Sequence, residues 1–280
     1  MQRLTRDRFT LTLSPEAQPA YRVEIGETLV VETHDCHGGQ VIREGRSPDN
    51  LDTTRCGNPA TGPIFVAGLK AGDTLAVHVL EIAVAERGVV CSGADYRIVE
   101  LREGCAWFDE HLALPINPVI GVIGVAPGSG PIPTVTPGDH GGNLDTTDIR
   151  AGATVLLPVR VEGGLLALGD VHAVQGDGEV AGTGIETEAE ITVRVSRGPR
   201  LSDRPCVLWP GYVATIGSAP AWPEAMNMAV EDMVRLVVER RGMTVPDARM
   251  LISLTGNLRV SQMVNPWMTA RMVMPRDIVG

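Results

Sequence analysis

The chain has 280 residues, of which 44% are hydrophobic and 21% are charged. This is the composition of an ordinary globular protein, so it excludes an intrinsically disordered chain. The formal net charge of −10 excludes a nonspecific nucleic-acid binder and a protein that binds anionic membranes, because both need a basic surface.

Short strands joined by tight turns are predicted for the first two thirds of the chain. The 32 glycines and 20 prolines, with only 4% aromatic residues, favour this arrangement over a helical bundle. A β-rich composition after Gly26 predicts a strand at 28–33, and alternating apolar residues predict strands at 73–80 and 188–196. Gly163 and Gly164 separate the apolar runs 155–161 and 165–168, and they predict a hairpin turn between two paired strands.

Helical signals appear after about residue 200. An apolar stripe with a period near 3.6 predicts a helix at 224–241, with Pro223 in its first turn and Gly242 at its end. A shorter helix is predicted at 246–254, and closing strands at 259–264 and 268–274. We therefore expect a mainly β, β-sandwich-like fold with a C-terminal α+β layer. Residues 1–204 would form the mainly β core with the catalytic loops, and residues 205–280 an α+β portion packed on it.

Three further features bear on location and chemistry. The charged first ten residues lack the apolar core of a signal peptide, and the apolar stretch 112–127 is interrupted by proline and glycine. The five cysteines show no CxxC spacing, so we expect a cytoplasmic protein without a disulfide framework. Lys70 is the only lysine and lies in a glycine-flanked turn. Amidases of the Ser-Ser-Lys or Cys-Glu-Lys type and Schiff-base enzymes are therefore disfavoured.

Polar residues gather in three glycine-rich segments, at 34–40, 137–145 and 169–186. The segments hold four of the six histidines and at least seven carboxylates, whereas His78 and His111 lie elsewhere and are interpreted as structural. On a strand, Asp170 and His172 would share one face because side chains alternate. The candidates in these segments are His34, Asp35, Cys36, His37, Gln40, Asp139, His140, Gly141, Gly142, Asn143, Asp145, Asp170, His172, Asp177, Glu179 and Glu186.

Two kinds of chemistry fit these residue types. Mixed carboxylate and imidazole ligands favour a divalent metal ion. A Cys36–histidine dyad, which would make the protein a cysteine hydrolase, is the competing interpretation. A β protein that binds a small molecule without turnover is a third, and the spacing alone does not identify the substrate.

Several of these segments resemble the acetamidase/formamidase family. The resemblance extends from about residue 24 to 275 and is carried by 58–66, 115–127, 140–145, 169–179, Glu186 and 251–262. It implies hydrolysis of short amides, such as formamide and acetamide, to a carboxylate and ammonia. It also implies a metal-associated, mainly β fold and a homodimer or higher homo-oligomer. Asn257 departs from the family pattern, where aspartate is common.

The resemblance and the residue chemistry together predict roles for individual residues. Asp35, His140, Asp170 and His172 are the expected ligands of a zinc or calcium ion, which would activate water and polarise the amide carbonyl. His34 and His37 are further candidates for this metal site. Glu186 is the expected general base, with Glu179 or Asp145 as substitutes. Asn143 and the backbone N–H groups of Gly141 and Gly142 are expected to stabilise the oxyanion, and Gln40 to bind the substrate.

Overall fold

The computed structural model describes all residues, 1–280, and contains two large β-sheets, a two-stranded ribbon and three α-helices. The helices are α1 (Trp222–Arg241), α2 (Val245–Thr255) and α3 (Arg276–Val279), and a short 3₁₀ helix covers Pro48–Asn50. The strands, in chain order, are β1 (Gln2–Leu4), β2 (Phe9–Thr10), β3 (Thr12–Leu13), β4 (Tyr21–Glu24), β5 (Thr28–Thr33), β6 (Ala60–Ala67), β7 (Thr74–Val84), β8 (Arg87–Ser92), β9 (Asp95–Arg102), β10 (Cys105–Trp107), β11 (Ala113–Pro115), β12 (Val119–Gly124), β13 (Ile132–Pro133), β14 (Gly141–Asn143), β15 (Thr154–Pro158), β16 (Leu166–His172), β17 (Glu186–Thr187), β18 (Ala189–Arg197), β19 (Cys206–Leu208), β20 (Tyr212–Ala219), β21 (Asn257–Gln262) and β22 (Met268–Pro275).

The two large sheets pack face to face as a sandwich. The first has nine strands in the order β1-β5-β18-β7-β15-β19-β20-β22-β21. The second has eleven strands, with the order β11-β10-β9-β8-β17-β16-β12-β14 and with β2, β4 and β6 joined to it through the pairing of β6 with β16. The strands predicted at 28–33, 73–80 and 188–196 are confirmed as β5, β7 and β18.

A core of 31 buried residues lies between these sheets. The first sheet contributes side chains such as Val77 and Ile191, and the second contributes Ile64, Ile120 and Val171. Burial of these branched side chains supplies the main favourable term of folding, at roughly 25 cal/mol per Å² of apolar surface removed from water. The fold class predicted from the sequence is confirmed by this arrangement.

The C-terminal helices cover one end of the first sheet, where β19 to β22 continue that sheet. Met233 and Val237 of α1 pack with Val213 and Met272 in a second, smaller apolar core. Gly217 allows a close helix approach, because a Cβ there would lie 2.3 Å from the Ala225 carbonyl oxygen. Both predicted helices are confirmed, and α1 ends as expected at Gly242, whose φ of +65° forms a left-handed cap.

The hairpin predicted at Gly163–Gly164 is wrong. Both glycines do adopt left-handed φ values, +71° and +69°, as a tight turn requires. However, β15 pairs with β7 and β19 in the first sheet, whereas β16 pairs with β6, β12 and β17 in the second. The turn therefore carries the chain from one sheet to the other.

None of the helices combines the length and the apolar character needed to cross a membrane.

Candidate active site

Strand β16 positions two central side chains because its alternation is interrupted. Leu166 and Leu168 enter the core between the sheets, and strict alternation would turn residue 170 the same way. Asp170 instead has a left-handed backbone with φ of +57°, and Val171 is the next side chain in that core. Asp170 and His172 therefore point together away from the core, where their ligand atoms lie close to each other.

His172 is surrounded by four carboxylates. Its Nε2 atom lies 3.2 Å from Glu186 Oε1, 3.6 Å from Asp170 Oδ2 and 3.9 Å from Asp145 Oδ1. Its Nδ1 atom lies 3.6 Å from Glu179 Oε1. All five side chains are buried. Four of the residues predicted from the third polar segment thus meet here, together with Asp145 from the second.

Burial perturbs the ionisation of this group. It raises the pKa of Asp145 to about 6, that of Glu186 to about 7 and that of Glu179 to about 10, because a buried carboxylate loses its hydration. Burial lowers the pKa of His172, but the carboxylates of Glu186 and Asp170 outweigh it and raise that pKa well above its usual value. Burial thus opposes full ionisation of these carboxyl groups, and a bound cation would favour their charged forms.

The donor set fits a divalent metal ion. Asp145 Oδ1, Asp170 Oδ1 and Glu186 Oε2 are buried without a hydrogen-bond partner. Three overlapping groups bring their ligand atoms within 4.8 Å of one another: Asp145–Asp170–His172, His172–Glu179–Glu186 and Cys36–Asp170–Glu186. Carboxylate oxygens with one imidazole suit hard and borderline cations. A bound cation would also relieve the cost of burying unpaired oxygens.

The loop after β5 brings Asp35 and Cys36 beside this cluster. Asp35 Oδ1 accepts the backbone N–H groups of His37 and Gly39, each at 2.9 Å, while its buried Oδ2 has no partner. Cys36 Sγ lies 3.4 Å from His37 Nδ1. Burial, with the nearby Glu186 carboxylate, raises the pKa of the Cys36 thiol well above its usual value. The thiolate that a cysteine nucleophile needs is therefore disfavoured.

A cavity of about 260 Å³ opens onto the cluster. Its walls include Asp170, His172 and Glu186, with Cys36, His37 and Asn143 nearby. At roughly 30 Å³ per water molecule in the liquid, it has room for a small organic molecule and a few waters. His34 does not line this cavity; its Nδ1 lies 3.7 Å from Glu188 Oε1.

His140 lies apart from the cluster. The residue is 4% exposed, belongs to none of the three ligand groups and lines a separate cavity with Trp267. Its Nε2 is buried without a partner, and burial lowers the pKa of the ring to about 4. The structure therefore gives no support to His140 as a ligand beside Asp170 and His172, because the turn at residues 138–141 directs the ring to another cavity.

The Gln40 side chain forms hydrogen bonds within its own loop. Its side-chain amide donates to the carbonyl oxygens of His37 and Asp52, at 3.0 and 3.1 Å, and accepts the Asp52 N–H at 2.7 Å. It does not line the cavity at the cluster. Because these bonds already use its amide, the expected contact with substrate has no support in this geometry.

Gly141 and Gly142 are required by close backbone packing. A Cβ at Gly141 would lie 2.2 Å from the Ile123 carbonyl oxygen, and one at Gly142 would lie 2.3 Å from that of Thr136. The Gly141 N–H donates to the Gly138 carbonyl oxygen. Neither glycine lines the cavity. The expected oxyanion contacts from these N–H groups therefore have no support in this geometry, whereas Asn143 does reach the cavity.

Two asparagines that the sequence did not single out hold the carboxylates in place. Asn58 Nδ2 donates to Asp170 Oδ2 at 2.7 Å. Asn265 Nδ2 donates to Asp145 Oδ2 at 2.6 Å and to the Asn143 carbonyl oxygen at 3.1 Å. Asn58 begins one of the segments that carry the family resemblance, which is a signal that could have identified it. Asn265 lies in a loop without any such pattern.

Gly121 leaves the space that two carboxylates occupy, so we expect Gly121→Ala to weaken binding of a divalent ion. A Cβ at this position would lie 2.6 Å from Asp145 Oδ1 and 2.7 Å from Asp170 Oδ2. Displaced ligands typically cost about 10–100-fold in metal affinity, and overpacking about 1–3 kcal/mol of stability. Calorimetric titration with Zn²⁺ measures the first effect. Gly211→Ala is the control, since nothing lies within 4 Å of its Cβ position. Equal Zn²⁺ affinity in both variants would contradict the prediction.

Known proteins share the fold of this chain. The sequence model that describes the Acetamidase/Formamidase family matches residues 6–111 and 128–201, which make up more than half of the chain. The crystal structure of an acetamidase from Bacillus halodurans is 36% identical, with a TM-score of 0.94, and the match covers 98% of this chain and 97% of that one. A Thermoanaerobacter tengcongensis structure, described as a predicted acetamidase/formamidase, is 42% identical with a TM-score of 0.95, covering 99% and 96%.

A curated relative is more distant. The putative formamidase of Schizosaccharomyces pombe is 24% identical over 257 residues, and the match covers 64% of this chain and 62% of that protein. The chain thus spans less than two thirds of the length of this relative. The resemblance found in the sequence motifs is confirmed over nearly the whole chain by the solved structures. This chain belongs to the Acetamidase/Formamidase family.

Proposed function

We propose that this protein hydrolyses the C–N bond of short primary amides to a carboxylate and ammonia, with a divalent ion, zinc or calcium, at the cluster around His172. The observation that carries the proposal is the convergence of one histidine and four buried carboxylates at a cavity of about 260 Å³. Relatives named acetamidase and formamidase support the choice of substrate.

The residues that would hold the ion are Asp145, Asp170 and His172, with Glu186 in reach. This set retains two of the four ligands expected from the sequence and takes Asp145 in place of His140. Asp35, whose Oδ2 is buried without a partner, stays a candidate for a neighbouring role. When bound, such an ion supplies a Lewis acid that activates water and polarises the amide carbonyl.

The proton transfers fall to Glu186. Its Oε1 accepts the Gly184 N–H at 3.1 Å, which fixes the side chain, while its Oε2 has no partner in the protein. Glu186 would take a proton from the attacking water and deliver it to the departing nitrogen. This delivery is necessary because an unprotonated amide ion is a very poor leaving group. Glu179 and Asp145 are the alternative bases.

Asn143 would orient the substrate. It lines the cavity, and its Oδ1 is buried without a hydrogen-bond partner. A side-chain amide at this place can contact the polar atoms of a small amide, and a well-placed donor to the oxyanion contributes roughly 3 kcal/mol. The net charge of −10 also suits a neutral substrate and repels anionic ones.

The second candidate is a cysteine hydrolase that uses Cys36. The 3.4 Å contact between Cys36 Sγ and His37 Nδ1 is the observation in its favour. The raised pKa of the buried thiol opposes it. The third candidate, a protein that binds a small molecule without turnover, differs from both in releasing no ammonia.

An ammonia-release assay with formamide, acetamide and a blocked dipeptide tests the proposal. We expect turnover of the short amides, little of the dipeptide, loss of activity with a chelator and its return with Zn²⁺ or Ca²⁺. Cys36→Ser should retain activity if water is the nucleophile. A chelator-resistant enzyme that Cys36→Ser inactivates would establish the cysteine mechanism instead. Absence of turnover with every amide would leave the binding protein as the remaining interpretation.

A further inference from the structure

Arg271, in β22, is the largest fully buried side chain of the protein. A guanidinium has five N–H donors in a fixed planar arrangement, and here each has an acceptor. Nε donates to Asp148 Oδ2 at 2.6 Å. Nη1 donates to the Val260 carbonyl oxygen at 2.9 Å and to Ser261 Oγ at 3.2 Å. Nη2 donates to Thr147 Oγ1 at 3.1 Å and to Asp177 Oδ1 at 2.7 Å.

These acceptors lie on the three segments that carry residues of the cluster and its cavity. Asp148 follows Asp145 by three residues in the chain, and Asp177 precedes Glu179 by two. The third segment, 260–261, leads to Asn265, which donates to Asp145. A single side chain from the first sheet thus joins segments that are 94 and 123 residues from it in sequence.

Further bonds couple the same segments directly. Thr146 Oγ1 donates to Ser261 Oγ at 3.0 Å, and the Gly178 N–H donates to the Ser261 carbonyl oxygen at 2.9 Å. The positions of the segments before Glu179 and after Asp145 therefore depend on Ser261, which is itself held by Arg271. A change in the guanidinium geometry would move these segments relative to each other.

Stability alone is a weak explanation for this buried ion pair. Desolvation of the charges often cancels their attraction, and apolar residues of similar size can replace such pairs without loss of stability. A fork of five directed donors, by contrast, fixes the mutual placement of its acceptors. The two carboxylates that it binds, Asp148 and Asp177, are not among the ligand groups of the cluster.

We propose that Arg271 is a positioning residue that sets the spacing between Asp145 and Glu179, and through it the affinity of the cluster for a divalent cation. This inference rests on the proposed metal centre. Arg271 does not itself contact the substrate; it acts by holding residues 146–148, 177–178 and 260–261.

Calorimetric titration of Zn²⁺ into the chelator-treated full-length protein tests this inference. Arg271→Lys keeps the charge but loses the planar arrangement of donors. Asp177→Asn, at a half-exposed position, weakens the hold on the segment before Glu179, because it removes the charge and one of the two oxygens that accept from Arg271 Nη2. We expect both variants to bind Zn²⁺ about 10–100-fold more weakly than wild type, at low and at high salt. Ser202→Ala, which removes a hydrogen bond to the buried Asp232 on α1, is the control and should keep wild-type affinity.

The outcomes separate the possible explanations. Wild-type affinity in Arg271→Lys and Asp177→Asn, with a lower melting temperature of the metal-free protein, would overturn the inference and leave Arg271 a stabilising core residue. A loss in Asp177→Asn that disappears at high salt would also overturn it, because salt screens the charge of the half-exposed Asp177 but does not reverse a displacement. If Arg271→Lys does not fold, Asp177→Asn decides alone. Ca²⁺ is titrated in the same way. If wild type binds neither Zn²⁺ nor Ca²⁺, the proposed metal centre fails, and this inference fails with it.

Discussion

Replacing His172 with alanine is expected to remove most of the bound divalent ion and to lower amide hydrolysis by more than about 100-fold. The ring is one of the proposed ligands and lies 3.2 to 3.9 Å from three carboxylates at its Nε2. Even residues that only orient ligands typically contribute about 10–100-fold, so loss of a ligand should cost more. Elemental analysis of the purified variant and ammonia release from formamide measure the two effects.

His78→Ala is the matched control for this variant. His78 also makes two contacts through its ring, with Thr154 Oγ1 at 2.9 Å and Ser196 Oγ at 2.8 Å, but it lies in the first sheet away from the cluster. Its loss should cost about 1–3 kcal/mol of stability and leave the metal content unchanged. The assignment of β16 as the wall of the active site would have to be withdrawn if His172→Ala behaved like this control.

Glu186→Gln is expected to lower kcat by about 10²–10⁴-fold while the protein stays folded. The substitution keeps the shape of the side chain and an oxygen that can accept the Gly184 N–H, but it removes the group that takes up a proton. Steady-state kinetics with formamide give kcat, and a thermal melt tests folding. Because Glu186 also belongs to two of the ligand groups, metal content must be measured on the same sample.

Glu179→Gln distinguishes the two glutamates. Burial raises the pKa of Glu179 to about 10 and that of Glu186 only to about 7, so Glu186 is the better candidate for a general base near neutral pH. We expect the Glu179 variant to lose much less activity than the Glu186 variant. A larger loss of kcat in Glu179→Gln, at equal metal content, would transfer the role of general base to Glu179.

The sequence predicted secondary structure well where a residue's preference acts on its immediate neighbours in the chain. Pro223 and Gly242 delimit α1 because their backbone preferences act on the residues beside them. Gly163 and Gly164 predicted a turn for the same reason, and the turn is there. Their partner strands were predicted wrongly, because turn geometry does not specify which strands pair when the chain crosses from one sheet to another.

The third polar segment determined much of the candidate site by itself. Asp170, His172, Glu179 and Glu186 are close in sequence, and short connections keep them close in space. The common direction of Asp170 and His172 was predicted from strand alternation. That both face away from the core goes with the left-handed φ of +57° at Asp170, which shifts the alternation by one residue. The residue pattern contains no signal that predicts this shift.

The sequence by itself determined the mainly β composition, the helices and the chemical types present at the site, because these follow from periodicity and residue identity. Only the tertiary structure decided which segments meet. Packing of the two sheets brings Asp145 to His172 and Cys36 to Asp170 and Glu186. It also directs His140 to another cavity and supplies Asn58 and Asn265 as donors to the carboxylates. The physical reason is that most of these contacts join residues more than 100 positions apart, such as Asn58 and Asp170. Their distance is set by strand pairing and core packing and not by any local preference.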